Sequence, residues 1–233
     1  MTELMLVIDT ATREGVVGLA DRDGKLLASE MWTSGHRHGE ELLSHLDKAL
    51  ARLGEAAQSI SWIAVGVGPG SFTGLRIGLA TAKTLAYGLG VPLVGIPTTH
   101  ALAAGAGLAG REVVVALPAG AHDRYVTRLA FRVDRVEELA PPSLVVSLAA
   151  QVAASEQVPL VAVDLVEPEV PAAAVALGKE AVGALPAALA RLAATELSAG
   201  RRDDVAQLVP AYVALPRGIS EAAASVEWSP DLR

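Results

Sequence analysis

Cysteine is absent from all 233 residues, and with it go disulfides, thiolate metal sites and a thiol nucleophile; a reducing compartment permits this. Aromatic residues are scarce, with three Trp, three Tyr and two Phe, so stacking platforms for nucleic-acid bases are few. Positive charge is also short: 19 Lys and Arg face 26 Asp and Glu, for a formal net charge of −7. A grip on a nucleic-acid backbone is built from clustered Lys and Arg, so any RNA contact is expected to come through a partner. No apolar run reaches the ~20 residues that cross a bilayer. The opening Met1-Thr2-Glu3 is acidic and its apolar run stops at Asp9, unlike a signal peptide; the expected location is the cytoplasm, with no membrane partner.

What is present is 52% hydrophobic residues, rich in alanine, enough for a sizeable core of small aliphatic side chains. Leu4 to Thr10, Gly15 to Ala20 and Lys25 to Trp32 read as an antiparallel meander, its last two strands joined through Asp21-Arg22-Asp23-Gly24. From His38 to Leu53 the period becomes helical, with Leu42, Leu46, Leu50 and Leu53 on one side and Gly54 as the stop. Strand Ile60 to Val67, helix Gly74 to Tyr87 and strand Pro92 to Ile96 form a β-α-β unit, adding a parallel pair to the meander. A mixed five-stranded sheet results. Beyond a helix at Thr99 to Gly107, strands are expected at Val113 to Leu117 and Tyr125 to Val133, with weaker signals at Leu144 to Val146 and Leu160 to Val163. Pro171 to Ala199 reads as one or two helices divided at Pro186. The expected organisation is an N-terminal half-domain, 1–104, and a smaller C-terminal one, 105–233, whose tail packs back or frays.

Between the fourth strand and its helix lies Gly68-Pro69-Gly70-Ser71-Phe72-Thr73-Gly74-Leu75-Arg76-Ile77-Gly78, a strand, tight loop and helix in which Ser71 or Thr73 caps the helix. A P-loop would close with Lys-Ser or Lys-Thr, and this loop closes with Gly74-Leu75-Arg76. A dinucleotide site would place an acid at the end of the next strand, which reads Val91-Pro92-Leu93-Val94-Gly95-Ile96-Pro97. Neither motif is present.

As a whole string the loop resembles the signature of the TsaB (YeaZ) family of tRNA threonylcarbamoyladenosine biosynthesis. So do Leu6-Val7-Ile8-Asp9-Thr10-Ala11-Thr12, Arg37-His38-Gly39-Glu40-Glu41-Leu42-Leu43 and Val91-Pro92-Leu93-Val94-Gly95-Ile96, in order. The resemblance implies an α/β ASKHA (actin, sugar kinase, Hsp70) fold of two half-domains, each with a mixed sheet flanked by helices. It also implies a non-catalytic subunit that supports TsaD in moving a threonylcarbamoyl group from its adenylate to N6 of an adenosine in tRNA. Partners implied are TsaD, the ATPase TsaE, a second copy of the chain where TsaD is absent, and tRNA only through the complex; the adenylate would come from TsaC.

Catalytic relatives of the TsaD kind carry a His-x-x-x-His metal pair after the strand matching Val91 to Ile96; here Thr98 and Leu102 stand in those places, with His100 between them. No metal site is therefore expected, and no catalytic residue. His38 and His45 lie seven apart, about 10 Å along a helix, too far to share a metal. In the second half the family's Asp-Ala-Arg turn is replaced by Leu117-Pro118-Ala119-Gly120-Ala121. Asp9 ends the first strand where ASKHA enzymes hold phosphate and metal, so Asp9, Gly68, Gly70 and Ser71 form the candidate site for a weakly held nucleotide; the competing reading is an Asp that caps its own turn. No other cofactor is implied.

Gly74, Gly78, Ala82 and Ala86 recur every four residues as a stripe almost without side chains, suited either to packing within the domain or to a partner helix. The resemblance favours the second and implicates His38, Glu41, Leu42, His45, Gly74, Arg76, Gly78, Ala82 and Ala86 in partner binding. The rival from another class is a stand-alone ATP-dependent kinase of the same fold, for which Asp123 and Asp164 are the further acids to weigh.

Overall fold

A computed structural model describes residues 3–33, 38–132 and 135–213; within the first helix, the side chains of 38–40 fall outside the description. The first sheet is ordered β3-β2-β1-β4-β5, from Leu4–Asp9 (β1), Glu14–Ala20 (β2), Leu26–Thr33 (β3), Ile60–Gly66 (β4) and Leu93–Ile96 (β5). β1, β2 and β3 are antiparallel neighbours, while β4 runs parallel to both β1 and β5. This is the mixed five-stranded sheet that the alternation and the β-α-β spacing predict. Every residue of β1 is buried, because helices cover both faces of the sheet. Leu4, Leu6 and Ile8 pack toward α1 (His38–Leu53) and α2 (Phe72–Leu89), and Met5 and Val7 toward the opposite face.

That opposite face is covered by α6 (Leu185–Ser198), and α3 (Thr98–Gly105) packs between α6 and the second sheet. The second sheet, ordered β8-β7-β6-β9, comprises Glu112–Pro118 (β6), Arg124–Phe131 (β7), Val136–Val145 (β8) and Leu160–Ala162 (β9). Its far side packs on α4 (Ala149–Ala153) and α5 (Ala172–Gly183). One apolar cluster runs from Val7 and Val94 through Leu102 and Leu189 to Val115 and Leu129, so a single core joins the two sheets.

Two elements depart from the expected string. β8 is ten residues long where only its last part carries a strand signal, because Pro141 and Pro142 interrupt it; on an edge strand with an unpaired side, proline removes no ladder bond. The helix pair 172–198 breaks at Ala184, and Pro186 sits in the first turn of α6, where the missing amide costs nothing. Among the described residues no single helix is long and apolar enough to cross a membrane; the bent pair α5–α6 passes by length and composition alone.

With few large side chains the interior closes by backbone contact. Gly178 of α5 lies against the carbonyl of Ala162 in β9, leaving no room for a methyl group. Gly178→Ala is therefore expected to lower unfolding free energy by about 1–3 kcal/mol despite alanine's better helix propensity. Urea denaturation measures it, and an unchanged or raised stability would contradict this packing.

Candidate functional site

The glycine loop is filled by its own chain. After β1, residues 9–12 turn back across the loop, and three of its glycines meet this turn: Gly70 abuts the Ala11 carbonyl and methyl, Gly74 the Thr10 carbonyl, and Gly78 the Thr10 hydroxyl. The Ser71 amide donates to the Ala11 carbonyl at 2.7 Å, and the Thr10 hydroxyl to the Gly74 carbonyl at 2.7 Å. Ser71 caps α2 by accepting the Gly74 amide at 3.1 Å.

Asp9 is wholly buried behind this turn. Its Oδ1 accepts the Ala11 amide at 2.8 Å, and its Oδ2 accepts the Thr98 hydroxyl at 2.8 Å. The Thr98 oxygen in turn accepts the Gly68 amide at 3.1 Å, so one carboxylate ties the β1 turn to the start of α3 and to the glycine loop. Burial pushes its pKa from 3.8 up to about 6, against the pull of the Ala11 and Thr98 hydrogen bonds.

These contacts already engage Asp9, Gly70 and Ser71 of the four residues expected to hold a nucleotide. Both Asp9 oxygens have internal donors, Gly70 is closed by Ala11, and Ser71 is committed to the helix cap. Asp164, weighed as a kinase acid, has a left-handed φ of 56° and accepts the Arg13 amide at 2.7 Å, joining the β1 turn to the segment after β9. Its pKa is raised by burial, partly offset by that bond and the Arg13 charge. Asp123 stands at the tip of the β6–β7 hairpin, its carbonyl accepting the Ala119 amide at 2.8 Å.

The residues present do not fit a metal of the TsaD kind. The Thr98 hydroxyl is spent on Asp9, Leu102 is a fully buried core side chain, and His100 lies 3.9 Å from Glu138 across the α3–β8 seam. Burial lowers the His100 pKa, with Glu196 acting weakly the other way. Among the described residues no cluster of three His, Asp or Glu is placed to hold an ion.

The partner residues divide by face. Gly74, Gly78, Ala82 and Ala86 turn inward: the glycines rest on Thr10, and Ala82 and Ala86 are buried among Ile8, Leu46 and Leu50. Their expected role as an open seat for a partner helix is corrected, because the chain's own β1 turn, first sheet and α1 occupy it. Leu42 is buried in the same cluster and Glu41 is half-buried. The His45 ring stacks on Trp32 at 4.3 Å, and its Nδ1 sits 3.2 Å from Glu30 Oε2, so it fastens α1 to β3 rather than facing outward. Of the group only Arg76 is exposed; the side chain of His38 lies outside the described residues.

The outward face carries residues that the sequence reading passed over. Tyr87 is 85% exposed on α2 and Leu43 50% exposed on α1. Thr73, Ala80, Thr84 and Gly88 are exposed along the same side of α2 as Tyr87, the last three recurring every four residues as a second small-residue row.

Comparison with known proteins gives the family. The profile of TsaD, tRNA N6-adenosine threonylcarbamoyltransferase, matches residues 32–150, just over half of the sequence. The chain belongs to this family. It also resembles the tRNA threonylcarbamoyladenosine biosynthesis protein TsaB of Escherichia coli, 37% identical over 102 residues, which is 44% of this chain and 43% of that protein. TsaB of Bacillus subtilis is 33% identical over 100 residues, 43% of either protein. The chain thus spans less than half the length of these curated relatives. YeaZ from Pseudomonas aeruginosa shares the fold, with a TM-score of 0.68 and 23% identity over 91% of this chain and all of that one. The TsaB resemblance and the ASKHA class both hold.

Because the folded pKa of Asp9 is raised, its stabilising contribution is full below pH 3.8 and is lost as pH climbs through about 6. Asp9→Asn removes that loss. Relative to the parent, the variant is expected to gain roughly 2–3 kcal/mol in stability between pH 4 and pH 7, as measured by denaturant melts. A difference independent of pH would place the ionisation elsewhere.

Proposed function

We propose that this chain is a non-catalytic subunit of tRNA threonylcarbamoyladenosine synthesis, pairing with a TsaD-type transferase through the outward faces of α1 and α2. The observation that carries the reading is the self-filled glycine loop. The groups with which an ASKHA enzyme would hold phosphate and metal are spent on the chain's own turn, while large apolar side chains stand exposed on two neighbouring helices. The relatives' place in tRNA threonylcarbamoyladenosine biosynthesis supports the process, and this chain's membership of the TsaD family supports pairing with a relative of the same fold.

In this reading the chemistry belongs to the partner, tRNA is met only in the complex, and TsaE joins the assembled pair. A second copy of the chain uses the same face when TsaD is absent. No metal or nucleotide is required by this subunit, and the site of action is the cytoplasm. The kinase alternative loses ground because Asp9 and Asp164 already serve backbone amides of the β1 turn.

Ala80→Arg places a long cation in the middle of the outward row of α2, and Tyr87→Ala removes its most exposed aromatic side chain. Both variants are expected to melt like the parent yet to bind TsaD tenfold or more weakly, about 1.4 kcal/mol or greater. Ala82→Arg, in the buried row, is expected to unfold the isolated chain instead. Undiminished binding by both outward variants, measured by calorimetry or co-purification, would exclude this face.

A further inference from the structure

After α6 the chain returns to the first sheet as a strap, residues 201–212, held mainly by polar contacts and largely exposed. It seals the outer edge of β5: the Asp203 amide donates to the Leu93 carbonyl, Asp203 Oδ2 accepts the Gly95 amide at 2.7 Å, and Arg201 Nη2 donates to the Gly95 carbonyl at 3.0 Å. It then runs along α2 and ends at the glycine loop, where the Ala211 amide donates to the Val67 carbonyl at 2.8 Å.

α2 contains only two charged side chains, Arg76 and Lys83, and the strap engages both. Lys83 Nζ donates to the carbonyls of Ala206 and Leu208, at 3.1 and 3.2 Å. Arg76 Nε donates to the Tyr212 hydroxyl at 3.1 Å, its guanidinium lies 3.8 Å above the Phe72 ring, and Phe72 meets Tyr212 at 5.3 Å. The apolar anchorage is slight, with Val205 and Leu208 only partly buried against the core.

A segment with few buried apolar contacts and exposed hydrogen bonds opens at a lower free energy than the core it lies on. We propose that residues 201–212 form a detachable clasp that opens as one unit below global unfolding and, when closed, holds the first turn of α2 in its partner-binding form. Opening uncovers the β5 edge, frees Arg76 and Lys83, and withdraws Tyr212 from Phe72. The clasp thereby regulates the α2 face, and this consequence rests on the pairing proposed above. A partner that fits the held turn better than the released one shifts the clasp toward closure by that difference and no more.

Native-state hydrogen exchange on the full chain tests the device directly. The amides of Gly95, Asp203 and Ala211 are expected to exchange together, and Tyr212→Ala and Lys83→Met each to accelerate all three at least tenfold, leaving Val7 and Ala64 at the parent rate. Three unrelated rates, or exchange of all three only with the core, would overturn the clasp. TsaD affinity gives the second readout: Tyr212→Ala is expected to weaken binding fivefold or more, and unchanged affinity would overturn the regulatory role. If the parent chain itself fails to bind TsaD, the proposed pairing falls and the α2-regulating role falls with it, while the exchange rates still decide whether the clasp exists.

Discussion

Packing of the β1 turn into the glycine loop is the contact on which the rest of this molecule depends. It lets Gly70 and Gly74 approach another backbone and Gly78 the Thr10 side chain, sets the start of α2, and buries Asp9 where its carboxylate must serve three segments at once. A side chain at any of those glycines would strike the turn, and a phosphate in the loop would have to displace it. The loop's conformational freedom is thus spent within the chain. α2 is consequently pinned along one side, and only its other side is left to meet anything else.

A core of alanine, valine and leucine reinforces this arrangement. Small side chains bring helices and sheets close together, so α3 and α6 form a thin layer between the two sheets and one cluster spans both. The Arg13 amide on Asp164 and the shared core join the two halves.

The first sheet was legible because its strands are apolar runs cut by Asp-Gly, and because the β-α-β spacing admits one parallel pairing. α1 is found where its leucine period places it, and Ser71 caps α2 as expected. Direction was not legible. Gly74-Gly78-Ala82-Ala86 and Thr73-Ala80-Thr84-Gly88 are both rows of small residues on one helix, and spacing alone does not say which one faces the sheet. Asp9 carried the same ambiguity: a strand-end Asp reads alike whether it caps a turn or awaits a ligand, and only its two donors decide. The route of the strap was not legible, because it seals β5 with one Asp203 backbone bond and the Asp203 and Arg201 side chains rather than with a periodic strand. β8 was obscured by prolines that an edge tolerates.

Calorimetric titration of the isolated chain with Mg-ATP tests most directly whether the glycine loop is occupied by the chain itself. The proposed reading expects no stoichiometric heat of binding, because Ala11 and Thr10 pack directly against the loop glycines and Asp9 is hydrogen-bonded at both oxygens. One-to-one micromolar binding that is lost in Gly70→Val would contradict it.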